Sequence, residues 1–145
     1  MQVRFNYIEA SPGAFQTMLK MEGFNKTLDA KLYELIKIRA SQINGCAFCI
    51  NMHTKEARKM GETEQRIYLL NAWREAPFYT DKERAVLELT EAVTRISEQG
   101  VPQDIYDNVR AHVDDAEFVA IIMAINTINS WNRLAISTGM FPEQD

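Results

Sequence analysis

Residues 28–61 read "LDAKLYELIKIRASQINGCAFCINMHTKEARKMG", and the fold turns on how this stretch is parsed. Leu28, Leu32, Leu35, Ile36 and Ile43 recur at helical spacing and share one face, with Thr27 placed to cap the helix they define. Asn44-Gly45 then ends it, because a glycine after the last turn readily takes the left-handed conformation that closes a helix. A second helix is predicted from about Cys46 to Met60, closed in the same way by Gly61. Alternating apolar and polar residues, the mark of a half-buried strand, are absent. The stretch therefore reads as a helical hairpin folded about Asn44-Gly45. Both cysteines of the chain, Cys46 and Cys49, and one of its two histidines, His53, sit on the second arm.

The flanking segments carry helical punctuation too. Ser11 and Pro12 predict an N-cap and a first helical residue for a short helix ending near Gly23. Thr63 to Trp73 forms a further helix, stopped before Pro77. Thr80 with Glu83 makes a T-x-x-E capping box for the next, which runs to about Gln99 before Gly100. Pro102 opens a short one, and Asp114 with Glu117 makes a similar box for the last and longest, "AEFVAIIMAINTINSWNRLAIS". No repeat, low-complexity segment or linker divides the chain, and 145 residues suit one core. The expectation is an all-α, single-domain bundle of about seven helices over residues 1–145. The last helix is apolar over a wide arc, and Phe118, Val119, Ile121, Ile122, Met123, Ile125, Ile128 and Trp131 cannot all face one neighbour. It is expected either to be the central helix or to pack against another subunit.

A net charge of -4, with no basic block, argues against nucleic acid or an anionic membrane surface as a partner. The N-terminal "MQVRFNYIEASPG" lacks the apolar region of a signal peptide. The longest apolar run, "FVAIIMAI", falls far below the roughly 18 residues of a membrane span. A cytoplasmic location is the expectation. Thiols there are normally reduced, so a C-x-x-C is more often catalytic or metal-binding than a structural staple.

At about 100° per residue, Cys46, Cys49 and His53 fall within an arc of roughly 60°, on the core-facing side of their helix. Both thiols lie in the first turn, where unpaired backbone N–H groups and the macrodipole favour thiolate. Residues three apart on a helix have Cα atoms about 5–5.5 Å apart, which suits a disulfide. Such a bridge closes almost no loop and adds little stability; it makes sense as a bond to be broken and re-formed. Glu34 supplies a third group. It lies about 13 Å along the axis before the turn and His53 about 10 Å after it, so a folded hairpin sets Glu34 nearer His53 than Cys46. A carboxylate can there hold a histidine that manages the proton on Cys49 one turn away. Zinc is a rival use of Cys46, Cys49, His53 and Glu34, but three of the four would come from one helix, whereas structural zinc sites draw ligand pairs from separate elements. His112 reads as a surface residue before a helix cap, and the seven methionines read as core filler.

Glu34, eleven residues, Cys46-Ala47-Phe48-Cys49, three residues and His53 together resemble the active-site signature of alkylhydroperoxidase D-like (AhpD-like) proteins, in the carboxymuconolactone decarboxylase superfamily. The flanks "LYELIKIRASQINGCAFCINMHTKEARKMGETEQRIYLL", "FYTDKERAVLELTEAVT" and "NTINSWNRLAISTGM" are similar to that family as well. The resemblance implies an all-α fold, a homo-oligomer (hexamer ahead of trimer) and a thiol-dependent peroxidase acting in antioxidant defence. It makes Cys49 the peroxidatic thiol, Cys46 the resolving one, and Glu34 and His53 the proton relay. The substrate is then a hydroperoxide and the reductant a dithiol, lipoyl or thioredoxin-like; no metal, flavin or haem is required. Phe48 departs from the pattern, because well-characterised peroxidase members carry a second relay histidine there. The alternatives are a dithiol–disulfide oxidoreductase, a redox sensor without turnover, and a non-redox lactone decarboxylase, whose members generally lack the C-x-x-C. The dipole favours Cys46 as the more exposed nucleophile toward a reductant, while the relay favours Cys49 toward peroxide.

Overall fold

Asp29 starts the helix on which the rest of the protein is built. Its carboxylate accepts from the Leu32 N–H at 2.9 Å, capping a helix from Ala30 to Asn44. Thr27, the expected cap, instead ends a 3-10 turn at Asn25–Thr27, which shifts the start by two residues. The protein is described by a computed structural model over residues 2–145. Its helices are α1 (Tyr7–Ala10), α2 (Pro12–Phe24), α3 (Ala30–Asn44), α4 (Ala47–Lys59), α5 (Glu64–Tyr68), α6 (Asp81–Thr94), α7 (Ile96–Gln99), α8 (Gln103–Arg110) and α9 (Asp115–Thr138). There is no strand among the described residues.

The all-α class holds, with nine helices among the described residues where about seven were expected. The excess has local causes. Asn6 caps a one-turn helix, α1, by accepting from the Ile8 and Glu9 N–H groups. The helix expected to reach Gln99 stops at Thr94 and resumes at Ile96. The segment expected to run to Trp73 leaves the α conformation after Tyr68 and continues as a 3-10 turn, Leu70–Ala72. Thr80 and Glu83 do form both arms of their capping box. Asp114 caps α9 through the Glu117 N–H, but the Glu117 carboxylate binds Lys82 at 2.6 Å.

The central place goes to α3, which packs against α4, α6 and α9. Leu32 and Ile36 join Val86, Leu89, Val109, Ile121 and Ile125 in one apolar cluster. Leu35 and Ile38, on the other side of α3, join Ala57, Leu70, Trp73 and Leu87 in a second. Truncating a fully enclosed side chain such as Leu35 costs about 2–5 kcal/mol. By contrast α9 keeps Val119 and Ile136 exposed, at 55% and 45%. No helix among the described residues is long and apolar enough to cross a membrane.

Two polar fastenings hold the ends of this frame. At the hairpin turn, the Asn44 amide donates to Asn129 Oδ1 and Asn132 Oδ1, both at 2.9 Å, and Asn132 Nδ2 donates to Ser41 Oγ. Asn129 Nδ2 in turn donates to the Ile125 carbonyl and Thr94 Oγ1, so the turn is knotted to α9 through amides and hydroxyls, with no charged group. At the far end of α9, Gly139 takes φ 78° to close the helix. A Cβ there would meet the Gln2 carbonyl oxygen at 2.9 Å, so conformation and space both call for glycine. The Arg4 N–H donates to the Thr138 carbonyl at 2.9 Å, which stitches the N-terminal segment over the end of α9.

Candidate active site

Gly45, at φ 71°, reverses the chain between α3 and α4. Cys46 follows in an extended conformation as the N-cap of α4, and Cys49 is the third residue of that helix. The two sulfurs are joined as a disulfide with Cα atoms 5.3 Å apart. The Cys49 N–H donates to Cys46 Sγ at 3.4 Å, so the sulfur takes the capping role that serine or aspartate fills elsewhere. That turns Cys46 inward against Ala135 of α9, with Phe48 and Met140 packed alongside. Cys46 is 1% exposed and Cys49 4%, which corrects the expectation that Cys46 is the more accessible sulfur. The expected helix start is also one residue early, since Cys46 caps α4 from outside.

The hairpin brings Glu34 to His53, with Glu34 Oε2 3.1 Å from His53 Nδ1. The histidine side chain is 11% exposed and the carboxylate 6%. With Nδ1–H donating to the carboxylate, Nε2 is left to take or give a proton.

Behind this pair lies a set of residues the sequence reading missed. Lys37 Nζ donates to Glu34 Oε1 at 3.1 Å and to Glu22 Oε1 of α2 at 2.9 Å. It also sits 3.7 Å from the centroid of the Tyr33 ring. Glu22 Oε2 accepts from Trp131 Nε1 of α9 at 3.1 Å. Burial pushes the Glu22 carboxyl up, but the Lys37 charge and hydrogen bonds from Lys37, Tyr33 and Trp131 outweigh it and hold the group below its ordinary value. Burial, reinforced by the negative charge of Glu22, pushes the Tyr33 phenol well above its usual range, so it remains a donor. The i, i+3 spacing of Glu34 and Lys37 was a local signal for part of this ladder. Glu22 carries no such signal, since Lys37 and Trp131 reach it from other helices.

Cys49 and His53 both line a cavity of about 360 Å³. Its walls are Tyr7, Ile8, Phe15, Phe48, Met52, Trp131, Ala135 and Met140, with Glu22 also exposed to it. Cys46 and Glu34 are not among its lining residues. Among the described residues, no group of three or more histidine, cysteine or acidic side chains is arranged to hold a metal ion. His112 lies on the surface, as expected.

A helical hairpin carrying a redox-capable C-x-x-C beside a carboxylate–histidine pair defines a class of all-α thiol proteins. Comparison with known proteins gives the family. The profile of the carboxymuconolactone decarboxylase family matches residues 10–92, and the chain belongs to that family as an AhpD-like member. It is 50% identical over 141 residues to the uncharacterized protein YdfG of Bacillus subtilis, covering 96% of each chain. A crystal structure from Agrobacterium tumefaciens, of a protein of unknown function for which the antioxidant defence role of AhpD is suggested, is 46% identical. It superposes with a TM-score of 0.95 over 99% of this chain and 100% of that one. The debrominase Bmp8 shares the fold at a TM-score of 0.84 and 16% identity, over 94% of this chain and 74% of its own. The fold is thus shared with proteins described as peroxidase-related and with a debrominase.

Proposed function

We propose that the protein is a thiol-dependent peroxidase that reduces organic hydroperoxides with the Cys46–Cys49 pair. The observation that carries this reading is the sorting of the site. Cys49 and His53 face the cavity, while the groups each needs next, Cys46 and Glu34, stand directly behind them. His53 Nε2 takes the proton of the Cys49 thiol; the thiolate attacks the terminal oxygen of ROOH, the O–O bond breaks, and the leaving alkoxide takes that proton back from His53 to give ROH. Cys49 is then a sulfenic acid. The Cys46 thiol attacks that sulfur, expelling water and forming the disulfide, and an external dithiol, lipoyl or thioredoxin-like, restores both thiols by exchange. Glu34 holds the imidazole in orientation through both proton transfers. The reading places the protein in the cytoplasm as a homo-oligomer, with a hexamer ahead of a trimer, supported by the exposed apolar residues Val119 and Ile136 on α9. A species of monomer mass in light scattering would refute the assembly.

The test is a pair of serine variants. Cys49→Ser should abolish reaction with cumene hydroperoxide, whereas Cys46→Ser should react once and leave a trappable sulfenic acid at Cys49. The reverse pattern would exchange the two roles. Phe48 favours a second reading, dithiol–disulfide exchange without efficient peroxide turnover, because an aromatic ring lines the cavity where related peroxidases are expected to carry a relay histidine. Reversible oxidation without turnover under any dithiol would select it.

A further inference from the structure

The cavity in front of Cys49 is apolar around most of its wall, yet one charged side chain is set into it. Glu22 is a lining residue, and its side chain retains 29% exposure. Its counter-charge does not share that position: Lys37 is 8% exposed, is not among the lining residues, and divides its ammonium between Glu22 and Glu34. The remaining polar neighbours of Glu22, Trp131 Nε1 and the Tyr33 phenol, are uncharged donors. A ligand in this cavity meets the carboxylate from the front and finds no lysine or arginine in the wall to offset it.

The geometry points to Glu22 as a specificity-determining residue that makes this cavity take neutral, apolar ligands and exclude those bearing a carboxylate. The inference deepens the peroxidase reading by naming its substrate class: uncharged aryl or alkyl hydroperoxides rather than free fatty-acid hydroperoxides. The physical reason is the low polarity of the walls. Two like charges brought together among Phe15, Phe48, Met52 and Trp131 are poorly screened, and an anion entering there would exchange its hydration for one histidine, His53, in a wall with no lysine or arginine. Lys37 pairs with Glu22 from behind and is shared with Glu34, so the like charge facing the cavity still selects against an anionic ligand. The volume, about 360 Å³, is at the small end for ligand pockets and suits a single-ring or short-chain body.

The test is binding to the oxidised protein, which needs no peroxide and no turnover. Failure of the peroxidase reading would therefore leave this result untouched, and the reverse. Three probes share one body: 4-isopropylbenzoate, its methyl ester, and cumyl alcohol. Intrinsic fluorescence follows each, with Trp131 in the cavity wall reporting over the constant background of buried Trp73. In the native protein the ester and the alcohol should bind, and the benzoate at least ~10-fold more weakly. Glu22→Gln should recover most of the benzoate affinity and leave the ester within ~2-fold. Equal affinity for ester and benzoate in the native protein would overturn the inference, as would an unaltered gap in the variant or binding of none of the three. Should Glu22→Gln not fold, Glu22→Ala carries the same comparison, and 4-isopropylbenzamide, which is neutral and close in size to the acid, replaces the ester.

Discussion

Helix α3 carries two buried polar systems of opposite character. Near its C-terminal end, Asn44 and Ser41 join Asn129 and Asn132 in a knot of amides and a hydroxyl with no ionisable member. One to two turns earlier, Glu34 and Lys37 join His53 and Glu22 in a ladder whose members are all ionisable. The knot is closed, and none of its residues lines the cavity. The ladder opens onto the cavity at both ends, at His53 and at Glu22. A neutral, satisfied network fixes one geometry and stays out of the chemistry. A buried ionic one is costly to assemble, and truncating either partner of such a pair is worse than never having had it. The difference separates polar groups that fasten the fold from polar groups set at the wall of the cavity, although both are buried and both join the same helix to its neighbours.

Five substitutions test that division. The largest effect is expected at the relay, where Glu34→Gln and His53→Gln should each slow single-turnover oxidation by hydroperoxide ~10²–10⁴-fold. Their effects should be strongly non-additive, since a relay interrupted at either group is interrupted; independent losses in the double variant would show that the two do not act together. Next comes Lys37→Met, which leaves Glu22 and Glu34 facing each other's vicinity without their shared cation. Urea unfolding should show a loss of about 3–5 kcal/mol, and a loss below ~1 kcal/mol would mean the ladder is no more than a surface network. Asn44→Ala should be milder, about 1–3 kcal/mol, because it strands the acceptors of Asn129 and Asn132. Its oxidation rate should match the native protein once both are folded. A slowed rate there would erase the distinction between knot and ladder.

The smallest effect is expected in acid. Glu22 has its folded pKa held below the ordinary 4.5. The unfolded chain therefore binds a proton at this group more readily than the folded one, and stability falls as pH falls. The contribution of Glu22 is complete above the ordinary carboxylate value and drains away as pH drops through the depressed one. Glu22→Gln should accordingly be less sensitive to acid below about pH 4.5 than the native protein, as read from urea midpoints at successive pH values. Parallel curves would contradict the sign of the shift.

The hairpin was legible because its signals are local. Asn44-Gly45 fixes the reversal, C-x-x-C fixes the separation of the sulfurs, and counting residues from the turn was enough to set Glu34 against His53. What stayed hidden depends on chain segments far apart in sequence. Glu22 meets its partners from α3 and α9, 109 positions separating it from Trp131. The inward turn of Cys46 depends on Ala135 and Met140, at the other end of the chain. Local errors had a different source. Thr27 and Asp29 are both competent caps, and only the 3-10 turn selects between them. The wide apolar arc of α9 left a central place and a subunit contact both open; the enclosed helix is α3, because Leu35 and Ile38 face a second cluster formed by later segments.

The stitch between Arg4 and the end of α9 bears on how the protein is made. Residues 131–140 supply Trp131, Ala135 and Met140 to the cavity wall, and they include the closing glycine turn at which the N-terminal segment is anchored. A ribosome adds roughly 5–20 residues per second, so Cys46 and Cys49 are synthesised on the order of 5–20 s before Met140. For that interval the nascent hairpin carries both thiols without the wall that will later sort its ligands. Any protection of the dithiol during synthesis has to come from the surrounding cell, and the cavity in front of Cys49 is complete only when the last helix docks.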